Sequence, residues 1–254
     1  MRPFVLYIMR EYQVRMSSVA FWLVTLLTPV ALWLCKLFMP QYEFAPVGEE
    51  AAGVDLGGVY LILFASALFL FVFFYGVQTM RSVAIVRRQR VVELLLMSIK
   101  PWEIVVGQIV AIGLVALTQL AIWLTAACCV GFDLDVLGIG VTSVLWMLGG
   151  YVIYASLFAI AGVYVSSENA SQAITLFISV ISVIALNASI YAIANPGTMQ
   201  SDFFAMFPLT SPLMFGAGVN TGIYLQILSA VILILTCMAL IAVGCRYFKR
   251  NCLV

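Results

Sequence analysis

The sequence predicts an all-α integral membrane protein with six transmembrane helices. Apolar residues make up 65% of its 254 residues and charged residues only 9%, a balance far outside that of water-soluble proteins. A helix pairs its backbone N–H and C=O groups internally, and about 20 residues cross the ~30 Å hydrocarbon layer. Six apolar stretches meet that length, at residues 19–38, 59–80, 104–130, 139–163, 172–194 and 223–245. No repeat or flexible linker interrupts them, so residues 1–254 are predicted to form a single membrane domain.

The basic residues predict how these helices are oriented, because cytoplasmic loops of membrane proteins are enriched in Lys and Arg. Eleven of the twelve basic residues fall on one side of the predicted helices, namely Arg2, Arg10, Arg15, Arg81, Arg87, Arg88, Arg90, Lys100, Arg246, Lys249 and Arg250. That side is predicted to be cytoplasmic, and both termini lie on it. The exception, Lys36, is near the outer end of the first helix, where its long side chain can reach the interface.

The segment before the first span predicts an N-terminal amphipathic interfacial helix. Residues 3–17 place apolar side chains near one side of a helix and polar side chains largely away from it. The apolar set is Phe4, Val5, Ile8, Met9 and Tyr12, and the polar set is Arg2, Arg10, Gln13 and Arg15. The alternative is a frayed tail that only sets the topology.

Several residue types that catalysis needs are missing. His is absent, which removes the usual general base and the commonest metal ligand. The six Cys have no C-x-x-C spacing, and no G-x-x-x-x-G-K-[ST] phosphate-binding loop occurs. The chain is therefore expected to have no catalytic residue, no metal and no cofactor of its own.

The polar residues within the predicted spans are few and uncharged. Gln78, Thr118, Gln119 and Asn187 are candidates for lining a pathway, although interhelical hydrogen bonding is the more common use of such residues. Ion-coupled transporters usually carry ionisable groups at mid-membrane depth, so this composition argues against that class.

One loop on the basic side, residues 81–107, combines charge clusters with an apolar helical stripe. Three basic residues precede a run of six residues, 91–96, in which Glu93 is the one charge. Arg90 and Glu93 are three apart and would be neighbours on a helix, and Pro101 is predicted to end or kink that helix. One interpretation is an interfacial helix with its leucines in lipid, and the other is a helix that seats in a cleft on a partner.

The order of these motifs resembles the membrane subunits of type-2 ABC exporters, in particular the sodium-efflux permease branch. The matching residues are Arg87, Arg90, Val91, Val92, Glu93, Leu94, Leu95, Leu96, Ser98, Lys100, Pro101 and Gly107, then 117–123, 154–158, 166–168 and 208–212. Individually these patterns are loose, but together they cover most of the chain in the family's order.

The resemblance implies a multi-pass protein of the bacterial plasma (inner) membrane, surrounded by lipid, that forms a pathway with a second copy or a sister permease. Separate ATP-binding cassette subunits would hold ATP and Mg²⁺, and no nucleic acid is implied. The loop would form a cytoplasmic coupling helix between helices 2 and 3. The residues that the resemblance assigns to motor contact are Arg87, Arg88, Arg90, Glu93, Leu94, Leu95, Lys100, Pro101 and, at a second site, Glu168.

The resemblance also implies short re-entrant helices before helix 6 that cap the outer exit. Residues 195–222 carry one charge and are broken by prolines, and the predicted cap residues are Pro208, Thr210, Ser211 and Pro212. The alternative is an aromatic-belt loop at the interface.

The chain departs from the family pattern at three positions. Ile85 and Val86 stand where an acidic pair is usual, and Gln108 replaces the lysine of G-K. The hypothesis that follows is that an ionic contact near the inner face was replaced by packing. The segment after helix 1, residues 39–58, is also short for a sodium-efflux relative.

The predicted function is an export permease subunit without catalysis of its own. Two alternatives belong to other classes. One is a membrane scaffold or immunity factor that transports nothing, and the other is an ion-coupled secondary transporter. The cargo is left open by the sequence, as is the choice between homodimer and heterodimer.

Overall fold

The structure is a computed structural model that describes residues 3–38, 50–51, 54–88, 98–130, 140–165, 167–219 and 222–252. Helices dominate these residues. They are α1 Pro3–Met16, α2 Val19–Phe38, α3 Leu56–Arg88, α4 Pro101–Val130, α5 Val141–Tyr164, α6 Glu168–Ala194, α7 Met199–Met206, α8 Ser211–Gly216 and α9 Ile223–Cys252. Two strands of two residues each, β1 Glu50–Ala51 and β2 Val54–Asp55, pair antiparallel. The prediction of an all-α fold did not include this pair, which is too short to leave a periodic pattern in the sequence.

Five of the described helices are long and apolar enough to cross a membrane, namely α3, α4, α5, α6 and α9. The chain is therefore a multi-pass membrane protein. Helix α2 occupies the residues predicted for the first span and contains Pro29, but it is not among the five. The six-span count stays a prediction.

Local sequence explains where two of these helices begin. Pro101 is the first residue of α4, where its fixed φ and missing N–H are tolerated. Glu103 accepts a hydrogen bond from the Lys100 backbone N–H at 2.8 Å and donates its own N–H to the Lys100 carbonyl at 2.9 Å. At α6, the Ser167 hydroxyl accepts from the Ala170 N–H at 3.2 Å. Pro101 thus starts α4, and the loop helix that it was predicted to end falls largely on residues 89–97, outside the described residues.

The centre of the bundle is the packing of α3 against α5. A Cβ atom added at Gly162 would lie 2.6 Å from the Met80 carbonyl oxygen, so the two backbones touch there. At Gly76 an added Cβ would lie 2.5 Å from the Phe158 ring, which is fully buried. Small residues let helices approach closely in membrane bundles, and these two glycines give α3 and α5 that contact.

The helix ends divide the bundle into two faces. The end that carries α1 also holds the carboxyl ends of α3, α5 and α9, and we call it the α1 face. Tyr164 and Tyr247 contact each other there, with ring centroids 5.4 Å apart. Helices α7 and α8 lie at the opposite end, where an added Cβ at Gly150 would be 2.8 Å from Pro212.

Gly162→Ala is expected to destabilise the bundle. The overpacking cost is expected in the upper part of the usual range of about 1–3 kcal/mol, because the obstacle is backbone rather than a flexible side chain. It therefore exceeds the roughly 1 kcal/mol that alanine gains in helix propensity. Thermal unfolding in mild detergent measures the difference. The matched control is Gly149→Ala inside the same helix, where the nearest obstacle among the described residues is the flexible end of the Leu233 side chain rather than backbone. Equal melting temperatures for the two variants would contradict the close-contact interpretation.

Candidate functional site

A cluster of polar side chains joins α1, α3 and α4 at the α1 face. We call it the polar node, and it consists of Tyr7, Arg15, Ser82 and Gln108. The Arg15 guanidinium donates through Nη2 to Ser82 Oγ at 2.5 Å and to Gln108 Oε1 at 3.2 Å. Gln108 Nε2 donates to Tyr7 Oη at 2.6 Å, and the Ser82 hydroxyl donates to Gln108 Oε1. Gln108 is fully buried. Its amide oxygen accepts hydrogen bonds from Arg15 and Ser82, and its amide nitrogen donates to Tyr7.

Helix α1 reaches this position because α4 has a glycine where the two helices meet. An added Cβ at Gly107 would lie 2.8 Å from the Tyr7 ring, so the ring rests directly on the α4 backbone. The Phe4 and Trp102 rings pair beside it, with centroids 6.3 Å apart. Aromatic contacts therefore bring the polar groups of α1 within hydrogen-bonding reach of α4.

The node holds a cation in a mostly apolar setting. Burial lowers the pKa of Arg15, and the Glu11 carboxylate, 3.8 Å from Nη2, partly offsets this effect. Arg15 Nε is buried without a hydrogen-bond partner. Burial raises the pKa of Tyr7 to about 12, so its stabilising contribution is complete below pH 10 and is lost as the pH rises towards 12. At neutral pH the phenol keeps its proton and the guanidinium its charge.

The structure corrects two predictions about these residues. Arg15 was predicted to lie largely away from the apolar side of α1, but it lies on the side that packs on the bundle, together with Phe4 and Tyr12 of the apolar set. The 100° helical step also brings Tyr7 and Arg15 onto the face that docks. The hypothesis that packing replaced an ionic contact at Gln108 is wrong in part, because Gln108 is hydrogen-bonded to a cation from α1.

A second polar contact joins α3 to α5. Arg87 Nη1 donates to the carbonyl oxygen of Val163, one of the last carbonyls of α5, which have no partner within their own helix. A cation at a helix carboxyl end also interacts favourably with the helix dipole. Arg87 thus links the start of the predicted coupling loop to the turn before Glu168, the predicted second motor contact. Glu168 is exposed in the first turn of α6.

The other residues predicted to contact a motor are only partly described. Lys100 is exposed and Pro101 is half-buried. The Arg88 side chain and Arg90, Glu93, Leu94 and Leu95 lie outside the part of the chain that the structure describes.

The four predicted pathway residues lie on three helices, namely Gln78 on α3, Thr118 and Gln119 on α4, and Asn187 on α6, and their role in a pathway stays a prediction. Gln119 is buried and accepts a hydrogen bond from Tyr75 of α3. Thr118 donates to the Val115 carbonyl at 2.7 Å, and Gln78 is half-buried. Asn187 is exposed on α6 and donates to the Val183 carbonyl of its own helix at 2.8 Å.

The predicted cap residues lie together in α8 and the turn before it. The Thr210 hydroxyl donates to the Phe204 carbonyl, and Ser189 of α6 donates to the Thr210 carbonyl at 3.3 Å. Pro212 is buried, Pro208 is half-buried, and Ser211 Oγ is buried without a hydrogen-bond partner. These bonds fasten α7 and α8 to the bundle, and their placement relative to a membrane stays a prediction.

Hydrogen bonds fasten the helices together at both ends of the described bundle. Within the described ranges, no three His, Cys, Asp or Glu residues are grouped so as to hold a metal ion. The arrangement comprises a helical bundle with several helices long enough to span a membrane, the polar node at the α1 face, and α7 and α8 at the opposite end. The fold is therefore that of a multi-pass helical membrane protein.

The particular family follows from comparison with known proteins. A sequence model described as "ABC-2 family transporter protein" matches residues 41–245, and the chain belongs to this family, whose members are permease components of ABC transporters. It is similar to the uncharacterized protein YhaP of Bacillus subtilis (strain 168), with 27% identity across 81% of this chain and 54% of the relative. The chain thus spans about half the length of that relative. No solved structure matches it.

The family match confirms the resemblance to type-2 ABC permeases. The match does not test whether the chain belongs to the sodium-efflux branch, and membership of that branch stays a prediction.

Arg87→Gln is expected to loosen the end of α5 while the bundle stays folded. Losing a cationic cap at a helix terminus costs about 1 kcal/mol, which corresponds to about fivefold faster opening. Hydrogen–deuterium exchange of the amides at residues 161–165 measures this. Arg81→Gln is the matched control, because Arg81 is exposed on the same helix. Unchanged exchange in Arg87→Gln would show that the bond to Val163 does not hold α5.

Proposed function

We propose that this chain is the membrane subunit of an ATP-driven exporter, which forms the translocation pathway with a second copy or a sister permease. Separate ATP-binding cassette subunits hydrolyse ATP below it. The observation that carries the proposal is the family match over residues 41–245. Permease components of this kind work with an ATP-binding partner, and the chain itself has no phosphate-binding loop.

The α1 face is the proposed docking side for the motor. Its described residues include Arg81, Arg87 and Lys100, which flank segment 89–97, and Glu168 in the neighbouring turn. The contact of Arg87 with Val163 ties the two proposed docking segments to one another. A partner that moves the segment after α3 would therefore also move the turn between α5 and α6.

The orientation supports the same assignment. Basic residues mark the α1 face as cytoplasmic, and ATP is available on that side. Seven of the eleven acidic residues fall on the other side, namely Glu43, Glu49, Glu50, Asp55, Asp133, Asp135 and Asp202. Both termini are thus cytoplasmic, and the α7–α8 end faces outwards.

Glu93→Lys is expected to uncouple the motor without preventing insertion. Reversing this charge removes its contact with the partner, and losing about 1.4 kcal/mol of interaction lowers permease-dependent ATP hydrolysis roughly tenfold. The protein is purified from its native membrane in mild detergent, and the co-purifying ATPase and its rate are measured.

The matched control for this change is Asp202→Lys, a charge reversal on exposed α7 at the opposite end. It is expected to leave hydrolysis unchanged. If no ATPase co-purifies with the wild-type protein, the proposed function is contradicted. Full hydrolysis by Glu93→Lys would contradict only the assignment of segment 89–97.

Reporter fusions test the orientation. Alkaline phosphatase folds only after export, so it is expected to be active when inserted at Gly197 and inactive when fused after Val254. Gly197 suits the insertion because nothing lies within 4 Å of an added side chain there. The reverse pattern of activity would place the α1 face outside the cell.

A further inference from the structure

We infer that the polar node is a positioning device for energy coupling, in which Arg15 and Gln108 lock α1 to the two helices that enter and leave segment 89–97. This inference rests on the proposed function, since the device matters only if a motor acts on that segment. Its members touch no substrate and no nucleotide. They act through the helices that they hold.

The location of the node is the first support. Ser82 is six residues before the end of α3, and Gln108 is seven residues after the start of α4. At a rise of 1.5 Å per residue, both lie about 10 Å from the points where the chain leaves and re-enters the bundle. Arg15 bonds to both of them through one nitrogen, Nη2. The node therefore fixes the separation of α3 and α4 next to the segment.

The chemistry of the node is the second support. A buried guanidinium is costly unless nearby groups accept its hydrogen bonds. Ser82 and Gln108 supply those acceptors, and Glu11 is the one carboxylate among the described residues within 4 Å of the charge. An apolar residue at position 108 would leave Arg15 with fewer acceptors and Tyr7 without its donor. The glutamine is thus matched to an arginine that comes from another helix.

The exposure of α1 is the third support. Much of this helix faces outwards, including Leu6, Met9 and Val14, which are 52%, 49% and 63% exposed. Its attachment therefore depends on one strip of the helix, which contains Tyr7 and Arg15 together with the packing side chains of Phe4, Tyr12 and Met16. While the hydrogen bonds from Arg15 to Ser82 and Gln108 are intact, a change in the distance between α3 and α4 also displaces α1. When these bonds are broken, α3 and α4 can shift without α1.

A charge exchange tests this arrangement. Gln108→Lys places an ammonium beside the guanidinium, and Arg15→Gln removes the cation, so each single change breaks the node. The double change Arg15→Gln with Gln108→Lys restores one cation and one amide in exchanged positions. Arg10→Gln is the matched control, because Arg10 lies on the exposed side of α1.

Two measurements are made on each variant in complex with its co-purified ATPase. The first is permease-dependent ATP hydrolysis, and the second is hydrogen–deuterium exchange of residues 3–16. Hydrogen bonds to charged groups are strong enough that each single change is expected to lower hydrolysis roughly tenfold. Exchange in residues 3–16 is expected to rise, while protection of α5 is retained. The double variant is expected to recover both values, and Arg10→Gln to match the wild type.

The possible results separate the inference from the proposed function. Wild-type hydrolysis in Gln108→Lys, or a double variant as impaired as the single ones, would overturn the inference. If the wild-type protein stimulates no ATPase, the proposed function fails. The exchange of residues 3–16 then still decides whether the node holds α1: faster exchange in Arg15→Gln supports the lock, and unchanged exchange refutes it.

Discussion

The contact between the backbones of α3 and α5 at Gly162 is the constraint on which the rest of the structure depends. An added Cβ would lie 2.6 Å from the Met80 carbonyl oxygen, so no other residue fits without separating the helices. This approach brings Arg87 within reach of Val163 and seats Phe158 against Gly76. Because interiors are close-packed and deform little, α3 and α5 move as one unit. Both proposed docking segments are attached to that unit.

Apart from Arg15 Nε and Ser211 Oγ, the buried polar side-chain atoms in the described part of the bundle have partners within the chain. Gln119 is bonded to Tyr75, and Ser229 of α9 donates to the Ala205 carbonyl at 2.7 Å. A cargo that displaced Gln119 from Tyr75 without replacing this hydrogen bond would leave a buried group unsatisfied at about 1–3 kcal/mol. A translocation surface made of exposed side chains would break no internal hydrogen bonds. The exposed apolar residues of α3 include Leu70 and Phe74.

Composition and periodicity predicted the multi-pass helical class and most helix positions, because hydrophobic length is a strong local signal. They could not predict which side of α1 docks, since Tyr7 and Arg15 reach partners some 70 to 100 residues away. One feature of the sequence, the small residue Gly107 near the start of a span, is typical of a position where another helix approaches closely. The bond from Arg87 to Val163 was equally hidden, because an arginine in a basic cluster beside a loop is typical of a topology signal.

One helix connects the two ends of the molecule. At the α1 face, Val163 of α5 accepts the hydrogen bond from Arg87, and at the opposite end Gly150 of the same helix contacts Pro212 of α8. These two points are 13 residues apart, or about 20 Å along a helix. Since a continuous helix resists stretching, an axial displacement of α5 at its carboxyl end would reach α8 directly. Motion at the α1 face can therefore reach the end that carries α7 and α8 without a separate relay through the loops.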